Sequence, residues 1–594
     1  MLARLRTPSA WRVVFAARRH YYARAPPLHA EFERHPAFAD LSSQLDAAGL
    51  PAFATHGKGG VRVLYEPKEF YQTLLDKVRT AQRRIFIASL YVGKEEKELV
   101  AALHDALRRN PALRLTLVVD YLRSTREHTG ASSAALLASL AAAFPAQVDL
   151  RLFHTPALHG WQRRWVPKRF NEGWGLQHMK CYGFDDDVIM SGANLSHDYF
   201  TNRADRYIEL CNHAPLADFF SSLLELVASY SFRATASDPS SAFPATTLSW
   251  PSTNAISSDP FEAPDPAAAL SALQQHAHAA LSAFVAAYHA RPARALAASL
   301  PAALTAAPPS VPTTPSSTPP SFPARRPQPA LPPAFDTLLR PVLQMGPFAL
   351  RHETDTVVPA VFQAANALAT APGGARTTLD WTSGYFSLRD DYQKLVLDCK
   401  ARVRIVSASP EANGFFNSRG VSRFIPPAYT YFSQRFYEAV VEQARRKRLD
   451  EPGVEMSEWK RDGWTYHAKG IWLAPSVSNP FSPPTSTSFS PLPASLSFDP
   501  QTHDLPLRLQ HPSPPFLTLV GSSNFGARSA ARDLEAGVLV TTQNTALRWA
   551  LEKEVRAIHD HARAGVVTAE TFERKDRRVP WGVKVAARAI EGML

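Results

Sequence analysis

The sequence predicts an α/β protein built from two copies of one unit, each a mainly parallel or mixed sheet covered by helices, packed as a pseudo-twofold pair. Three observations predict it. The chain has 594 residues, too many for one ordinary core. Helix-period and strand patterns alternate through two long stretches. One polar constellation occurs twice, about 290 residues apart, at His178 and His467.

The first stretch starts near Val61. Pro67 suits a first helical position, and Phe70, Leu74 and Val78 recur at i, i+4, i+8. Ile85 to Val92 reads as a strand. Leu99, Leu103 and Leu107 mark a helix stripe, Leu113 to Asp120 a buried strand, Ala134 to Phe144 a helix and Val148 to Phe153 a strand. Strands alternating with helices favour parallel pairing. The pattern stops near Phe232, so the first domain is read as 55–232. From 233 to 334 the chain is rich in Ala, Ser, Thr and Pro, with twelve prolines from Pro301 to Pro333, and reads as a linker. Ala267 to Ala298 inside it could form an Ala-rich helix. The second domain is read as 335–594, with strands at Leu379 to Phe386 and Val403 to Ala408 and a helix at Tyr431 to Arg446. A Pro/Ser-rich insertion at 475–515 interrupts it before the strand Phe516 to Val520.

Composition narrows the chemistry. The formal charge of +12 suits an anionic partner: nucleic acid, an acidic membrane or a phosphorylated substrate. Three cysteines without a CxxC pair give no disulfide framework and no zinc site. Six arginines, from Arg4 to Arg24, precede the first acid, Glu31, among apolar residues. Residues 1–30 therefore read as a mitochondrial presequence. No run of about 18 apolar residues predicts a spanning helix, so any membrane contact should be peripheral.

The constellation is Gln177-His178-Met179-Lys180, then Asp185, then Gly192-Ala193-Asn194-Leu195-Ser196. Its second copy is Tyr466-His467-Ala468-Lys469, then Gly521-Ser522-Ser523-Asn524. In a strand, i and i+2 share a face, so each His sits beside its Lys. His178 to Asn194 is 16 residues and His467 to Asn524 is 57; the 41-residue excess matches the insertion. Such a site suits a phosphodiester. One neutral imidazole attacks phosphorus and a second, protonated, serves the leaving oxygen. Lysines and asparagines hold the phosphoryl oxygens, a carboxylate fixes the tautomer, and no metal is required. Ala88 to Lys94 resembles part of a phosphate-binding loop, but Glu95 stands where Ser/Thr is needed, so ATP hydrolysis is not expected.

His-x-Lys, four residues, Asp, then Gly-x-Asn resembles the signature of the phospholipase D superfamily. The stretches Ile87–Leu99, His178–Tyr207, Ser407–Tyr429, Trp464–Trp472 and Leu519–Val540 are similar, within it, to the mitochondrial phosphatidylglycerophosphate synthases of eukaryotes. The resemblance implies catalytic roles for His178, Lys180, Asp185, His467 and Lys469. It implies supporting roles for Asn194 and Asn524, with Glu209 and Glu535 orienting the histidines and Asp205 an alternative to Glu209. Ser196, Arg203, Arg206, Ser522 and Arg123 are expected to bind substrate. The implied substrates are CDP-diacylglycerol and glycerol 3-phosphate, with no cofactor and no nucleic acid. The implied place is the mitochondrion, peripheral to an anionic inner membrane, which the basic stretch Arg574 to Leu594 could touch unless it packs as a terminal helix. The alternative is a phosphodiesterase or nuclease that uses water. Ala474 stands where the second copy would carry its acid, which suggests unequal halves, with His178 as nucleophile and His467 as general acid.

Overall fold

A computed structural model describes residues 36–126, 132–168, 170–236, 246–291, 335–371, 377–448, 453–475 and 514–593. The expected presequence, 1–30, lies outside them, as does the 475–515 insertion except at its ends. Among the described residues no helix is long and apolar enough to cross a membrane.

Two nine-stranded mixed sheets carry the fold. In the first, Arg84–Ser89, Arg114–Asp120 and Val148–Phe153 pair in parallel. On the other side of Arg84–Ser89, the strands Cys181–Phe184, Asp187–Ser191, Tyr207–Leu210 and Val61–Leu64 follow in antiparallel order. The second sheet repeats this plan. Thr378–Ser383, Arg402–Ala408 and Val454–Trp459 are parallel. Lys469–Ala474, Leu517–Gly521, Leu534–Thr542 and Thr337–Met345 are antiparallel. Within each of these two sheets, parallel pairing is confined to strands joined by helical crossovers such as Lys97–Arg109 and Ser133–Ala143. Among the antiparallel pairs, Cys181–Phe184 and Asp187–Ser191 are joined by a two-residue turn, which only antiparallel strands can use.

Local chemistry agrees with these elements. The helix Pro67–Thr80 starts on Pro67, carries Glu69 in its first turn and Lys77 and Arg79 in its last, and buries Phe70, Leu74 and Val78. The two units share a core. Phe86, Val118 and Ile208 of the first pack in one cluster with Leu339, Val520 and Val538 of the second.

Both ends of the first expected domain need correction. Phe53–Thr55 pairs with Thr337–Met345 and the helix Pro36–Ala47 buries Phe38 and Leu41 in the second unit, so residues before 55 complete that unit. Order also continues past 232. Phe232–Ala236 pairs with both Val148–Phe153 and Thr246–Ser249. The helix Pro266–His289, capped by the Asp265 side chain, buries Leu273, Ala277, Leu281 and Val285. These apolar residues recur every fourth position, a stripe that the Ala/Ser-rich composition masks. The helix also bridges the halves, since Gln274 donates to Pro347 O (2.9 Å) and His278 Nδ1 lies 2.9 Å from Phe348 O.

The insertion interrupts a hairpin. Leu473 stands opposite Leu517, as Phe184 stands opposite Asp187 across the two-residue turn of the first unit. Replacing 475–515 by an Asn-Gly turn should therefore preserve cooperative unfolding, with a midpoint within about 4 °C of the parent by calorimetry. An aggregated or non-cooperatively melting product would contradict this.

Candidate active site

Each His-x-Lys segment enters the site against the opposite unit. The His178 N–H donates to Leu534 O (2.9 Å) and the Leu534 N–H to Leu176 O (2.8 Å). Thr465–Tyr466 pairs in parallel with Arg203–Ala204, and the His467 N–H donates to Ala204 O (2.8 Å). The next residue on each receiving segment is an acid. The His178 Nδ1–H donates to Glu535 Oε1 (2.9 Å), and the His467 Nδ1–H donates to Asp205 Oδ2 (2.7 Å). The two units thus exchange carboxylates. With Nδ1–H held, each imidazole keeps its other nitrogen for chemistry.

Hydrogen bonds tie down the segments behind them. Gln177 donates its backbone N–H to Asp120 Oδ2 (2.9 Å) and its side-chain amide to Ser89 O (3.0 Å) and Val118 O (2.9 Å), tying the segment to the parallel strands. Lys180 Nζ donates to His178 O and Lys469 Nζ to His467 O, each at 2.7 Å. His467 Nδ1 also lies 2.7 Å from Lys469 Nζ. An ammonium accepts no hydrogen bond, so the Nδ1 proton serves Asp205. Ser522 donates to the second oxygen of Glu535. Its counterpart is Gly192, where a Cβ would stand 2.5 Å from Asp205 Oδ1 and 2.9 Å from Lys469 Nζ, so only glycine fits.

Burial sets the charges. Desolvation first, then the lysine two residues on, pushes His178 and His467 toward the neutral form. Burial lowers Lys469 to about 8 and takes Lys180 well below the lysine range. It raises Asp205 to about 6. Asn194 donates to the Tyr199 hydroxyl (3.1 Å), which lies 3.3 Å from His467 Nε2. Arg203 stacks on the Tyr199 ring at 4.6 Å, and the Tyr385 ring stands 5.3 Å from His467. Asn524 is buried at the turn, its carbonyl accepting from Ser383 Oγ (3.1 Å). Ser196 reaches the Tyr91 hydroxyl (3.3 Å) and, with Tyr91 to Glu96, Arg123 and Arg126, lines a cavity of about 270 Å³. The loop that resembles part of a phosphate-binding loop thus forms a wall of this cavity. Arg123 stacks on Tyr91 at 4.6 Å. Ligand atoms of His178, Asp533 and Glu535 come within 4.8 Å of one another. All three are engaged: Asp533 accepts from Leu176 N (2.9 Å) and Arg528 (3.0 Å), and Glu535 from His178 and Ser522. They serve to position His178.

Three expected roles need correction. Asp185 is absent from the site. It sits at the hairpin tip with φ 52°, accepting from the N–H groups of Gln82 (2.8 Å), Arg83 (2.7 Å) and Arg84 (3.1 Å). Five residues of strand beyond Lys180 carry it about 16 Å along. Ala474 marks the same turn in the second unit, so it has no bearing on the inequality of the histidines. Glu209 faces away and pairs with Arg62 (2.6 Å) and Lys77 (2.8 Å). Asp205 takes the role given to it. Arg206, next to Asp205, points the opposite way as strand alternation requires. It binds Glu554 through two bonds of 2.9 Å and donates to Leu519 O (2.8 Å), buried between the sheets and out of reach of substrate.

Sequence reasoning also missed Tyr199, Tyr385 and the pair Arg528–Asp533. Ser-x-Tyr, which occurs at both Ser89–Tyr91 and Ser383–Tyr385, could have found Tyr385, and the eleven residues that separate Asn194 from Asp205 and Asn524 from Glu535 could have decided for Asp205 over Glu209.

Asp185→Asn is expected to cost about 1–3 kcal/mol of stability with the catalysed rate within a few-fold of the parent. Asp205→Asn and Glu535→Gln should fold and lose about 10²–10⁴-fold in kcat. Comparing melting curves with rates separates the two classes, and a large rate loss in folded Asp185→Asn would return that acid to the chemistry. The pH profile follows from the raised carboxyl and the lowered ammonium. kcat/KM should fall below about pH 6, as Asp205 takes a proton and releases His467, and above about pH 8, as Lys469 loses its charge. A rate constant well past both values would contradict this.

No protein-family model matches the chain. The solved phosphatidylserine synthase of Haemophilus influenzae shares the fold, with a TM-score of 0.56 and 18% identity over 94% of this chain and 99% of that one. The CDP-diacylglycerol–glycerol-3-phosphate 3-phosphatidyltransferase of Schizosaccharomyces pombe is 33% identical over 540 residues, 89% of this chain and 93% of the relative. The human mitochondrial enzyme of the same name is 34% identical over 541 residues, 89% of this chain and 82% of its own. At that identity and coverage, the chain belongs to the CDP-diacylglycerol–glycerol-3-phosphate 3-phosphatidyltransferase family.

Proposed function

We propose that the chain moves the phosphatidyl group of CDP-diacylglycerol to sn-glycerol 3-phosphate, releasing CMP, through a phosphatidyl-histidine on His178. The observation that supports this reading most is the carboxylate exchange between the units. It holds one imidazole from each unit by Nδ1, so that two histidines are fixed in the same tautomer by the same interface.

The steps follow from these groups. His178 Nε2 attacks the β-phosphorus, and the bond to the CMP oxygen breaks as His467 gives that oxygen its proton. Burial makes the His467 imidazolium a strong acid, and the diphosphate brought against it supplies the negative charge that keeps it protonated. Neutral His467 then takes the proton of the 1-hydroxyl of glycerol 3-phosphate. That oxygen attacks the same phosphorus and the phosphorus–nitrogen bond breaks. Lys180 and Lys469 offset the charge that grows on the phosphoryl oxygens, a task that otherwise falls to a metal. His178 is favoured as nucleophile because Tyr199 stands against Nε2 of His467. Arg203 and Arg123 are the basic groups best placed for the acceptor phosphate, and no nucleic acid enters the reaction.

The work is read as taking place in the mitochondrion, peripherally on the anionic inner membrane. The names of the mammalian relatives and the excess of basic residues support this.

Purified protein given CDP-diacylglycerol, labelled glycerol 3-phosphate and a chelator should yield CMP and a labelled lipid. Phosphatidic acid in place of the labelled lipid would assign water as acceptor. With acceptor omitted, acid-quenched mass spectrometry should find the adduct on His178. His178→Ala should abolish it, and His467→Ala should slow its formation by about 10²–10⁴-fold. An adduct on His467 would reverse the assignment.

A further inference from the structure

Three segments far apart in sequence expose large apolar side chains at one side of the site. The helix Gly160–Trp165 leaves Trp161 and Trp165 70% and 76% exposed. Phe416, Val421 and Phe424 are exposed just before the helix Ile425–Lys447. The C-terminal helix Trp581–Ile590 buries Val583 and Ala587 but leaves Trp581 80% exposed, with Val585 outward four residues on. Buried tryptophans such as Trp381, Trp459 and Trp472 show what the fold does with this residue when it belongs to the core.

Contacts bring the segments together. Val583 and Ala587 pack on Ala428, Tyr431 and Phe432 of Ile425–Lys447, and Glu591 pairs with Arg435 at 3.0 Å. Met593 lies against Gly173, just past the first segment. The same side leads to the chemistry. The Tyr429 ring stands 5.4 Å from Tyr385, and Tyr385 stands 5.3 Å from His467. Arg126, which lines the 270 Å³ cavity with Ser196, reaches Lys168 O on the first segment.

Charge selects the occupant. Exposed Arg164 and Lys168, Arg419 and Arg423, and Arg588 stand among these apolar side chains. The acids in the same stretches are already matched, Glu172 by Arg126 and Glu591 by Arg435. Lys584 and Arg588 lie along the Tyr431 ring, at 5.7 and 5.6 Å. Aromatic side chains ringed by basic ones match the headgroup level of an anionic bilayer.

We infer that the Trp161–Lys168 segment, the Phe416–Phe424 segment and the outer face of the Trp581–Ile590 helix form one docking rim that seats the mouth of the active site on an anionic phospholipid surface. This rests on the lipid reaction proposed above. A diacyl substrate keeps its chains in the bilayer, so the face that meets the bilayer must be the face that opens to His178.

The test uses the full chain and phosphatidylcholine vesicles with or without phosphatidylglycerol. Wild type should sediment with the anionic vesicles, its tryptophan fluorescence quenched by brominated lipid. The triple variant Trp161→Ser/Trp165→Ser/Trp581→Ser should lower the partition coefficient at least about 10-fold. Arg164→Gln/Lys168→Gln/Arg423→Gln/Arg588→Gln should remove the preference for anionic vesicles. Trp549→Ser, on a helix that packs against residues 57–64, is the control and should bind as wild type. Melting curves and turnover of detergent-solubilised substrate should stay within about two-fold of wild type in the triple variant, because these side chains touch no reacting group. Undiminished vesicle binding by the triple variant, or an equal loss with Trp549→Ser, would overturn the rim. So would a solution dimer that the triple variant disperses, which would give the face to a second copy. A wild type that binds vesicles through the rim but turns over no solubilised substrate would strike the proposed reaction and leave the rim standing.

Discussion

Neither half of this protein can orient its own histidine. His178 depends on Glu535 and His467 on Asp205, each across the pseudo-twofold interface. Buried imidazoles need a partner at Nδ1 to fix the tautomer, and here that partner comes only with the opposite unit. Much of the interface follows from this. The backbone bridges at Leu534 and Ala204 set the depth at which each acid arrives. Gly192 leaves room for Asp205 and Lys469. Arg206, held by Glu554 and lying over the Trp472 ring at 3.8 Å, fastens the two sheets directly behind the acids.

The same burial that demands partners also supplies reactivity. Two lysines out of water lose part of their hold on their protons, and two imidazoles beside them stay neutral. A phosphodiester entering such a site meets groups that gain more from its charge than water would give them. Stability and chemistry are therefore coupled at one place. Removing any of these charges leaves its counterpart buried and unmatched.

The sequence carried the repeat plainly, because strand alternation and a His-x-Lys spacing are local features. It therefore showed both sheets, both histidines, both lysines and the hairpin that the insertion interrupts. What it hid was direction. Asp185 lies in the motif, yet the strand carries it to the far end of the hairpin. Glu209 lies on the next strand, yet its side chain leaves by the wrong face. Counting from each asparagine, rather than to the next strand, gives Asp205 and Glu535 together. The Ala-rich segment was half legible. Its composition allows the helix that forms at Pro266–His289 but also resembles a linker, and only the four-residue spacing of Leu273, Ala277, Leu281 and Val285 shows a face to bury.

Matching positions past the two asparagines hold an ion pair with its charges exchanged. Asp198 with Arg203 stands in the first unit, at 3.1 Å, and Arg528 with Asp533 in the second, at 3.0 Å. One histidine thus has an extra cation beside it and the other an extra anion. Two identical subunits could never differ in this way, since one gene would write the same residue on both sides. Joining the copies in a single chain lets each side change alone, so that two histidines in matching positions stand in unlike electrostatic surroundings.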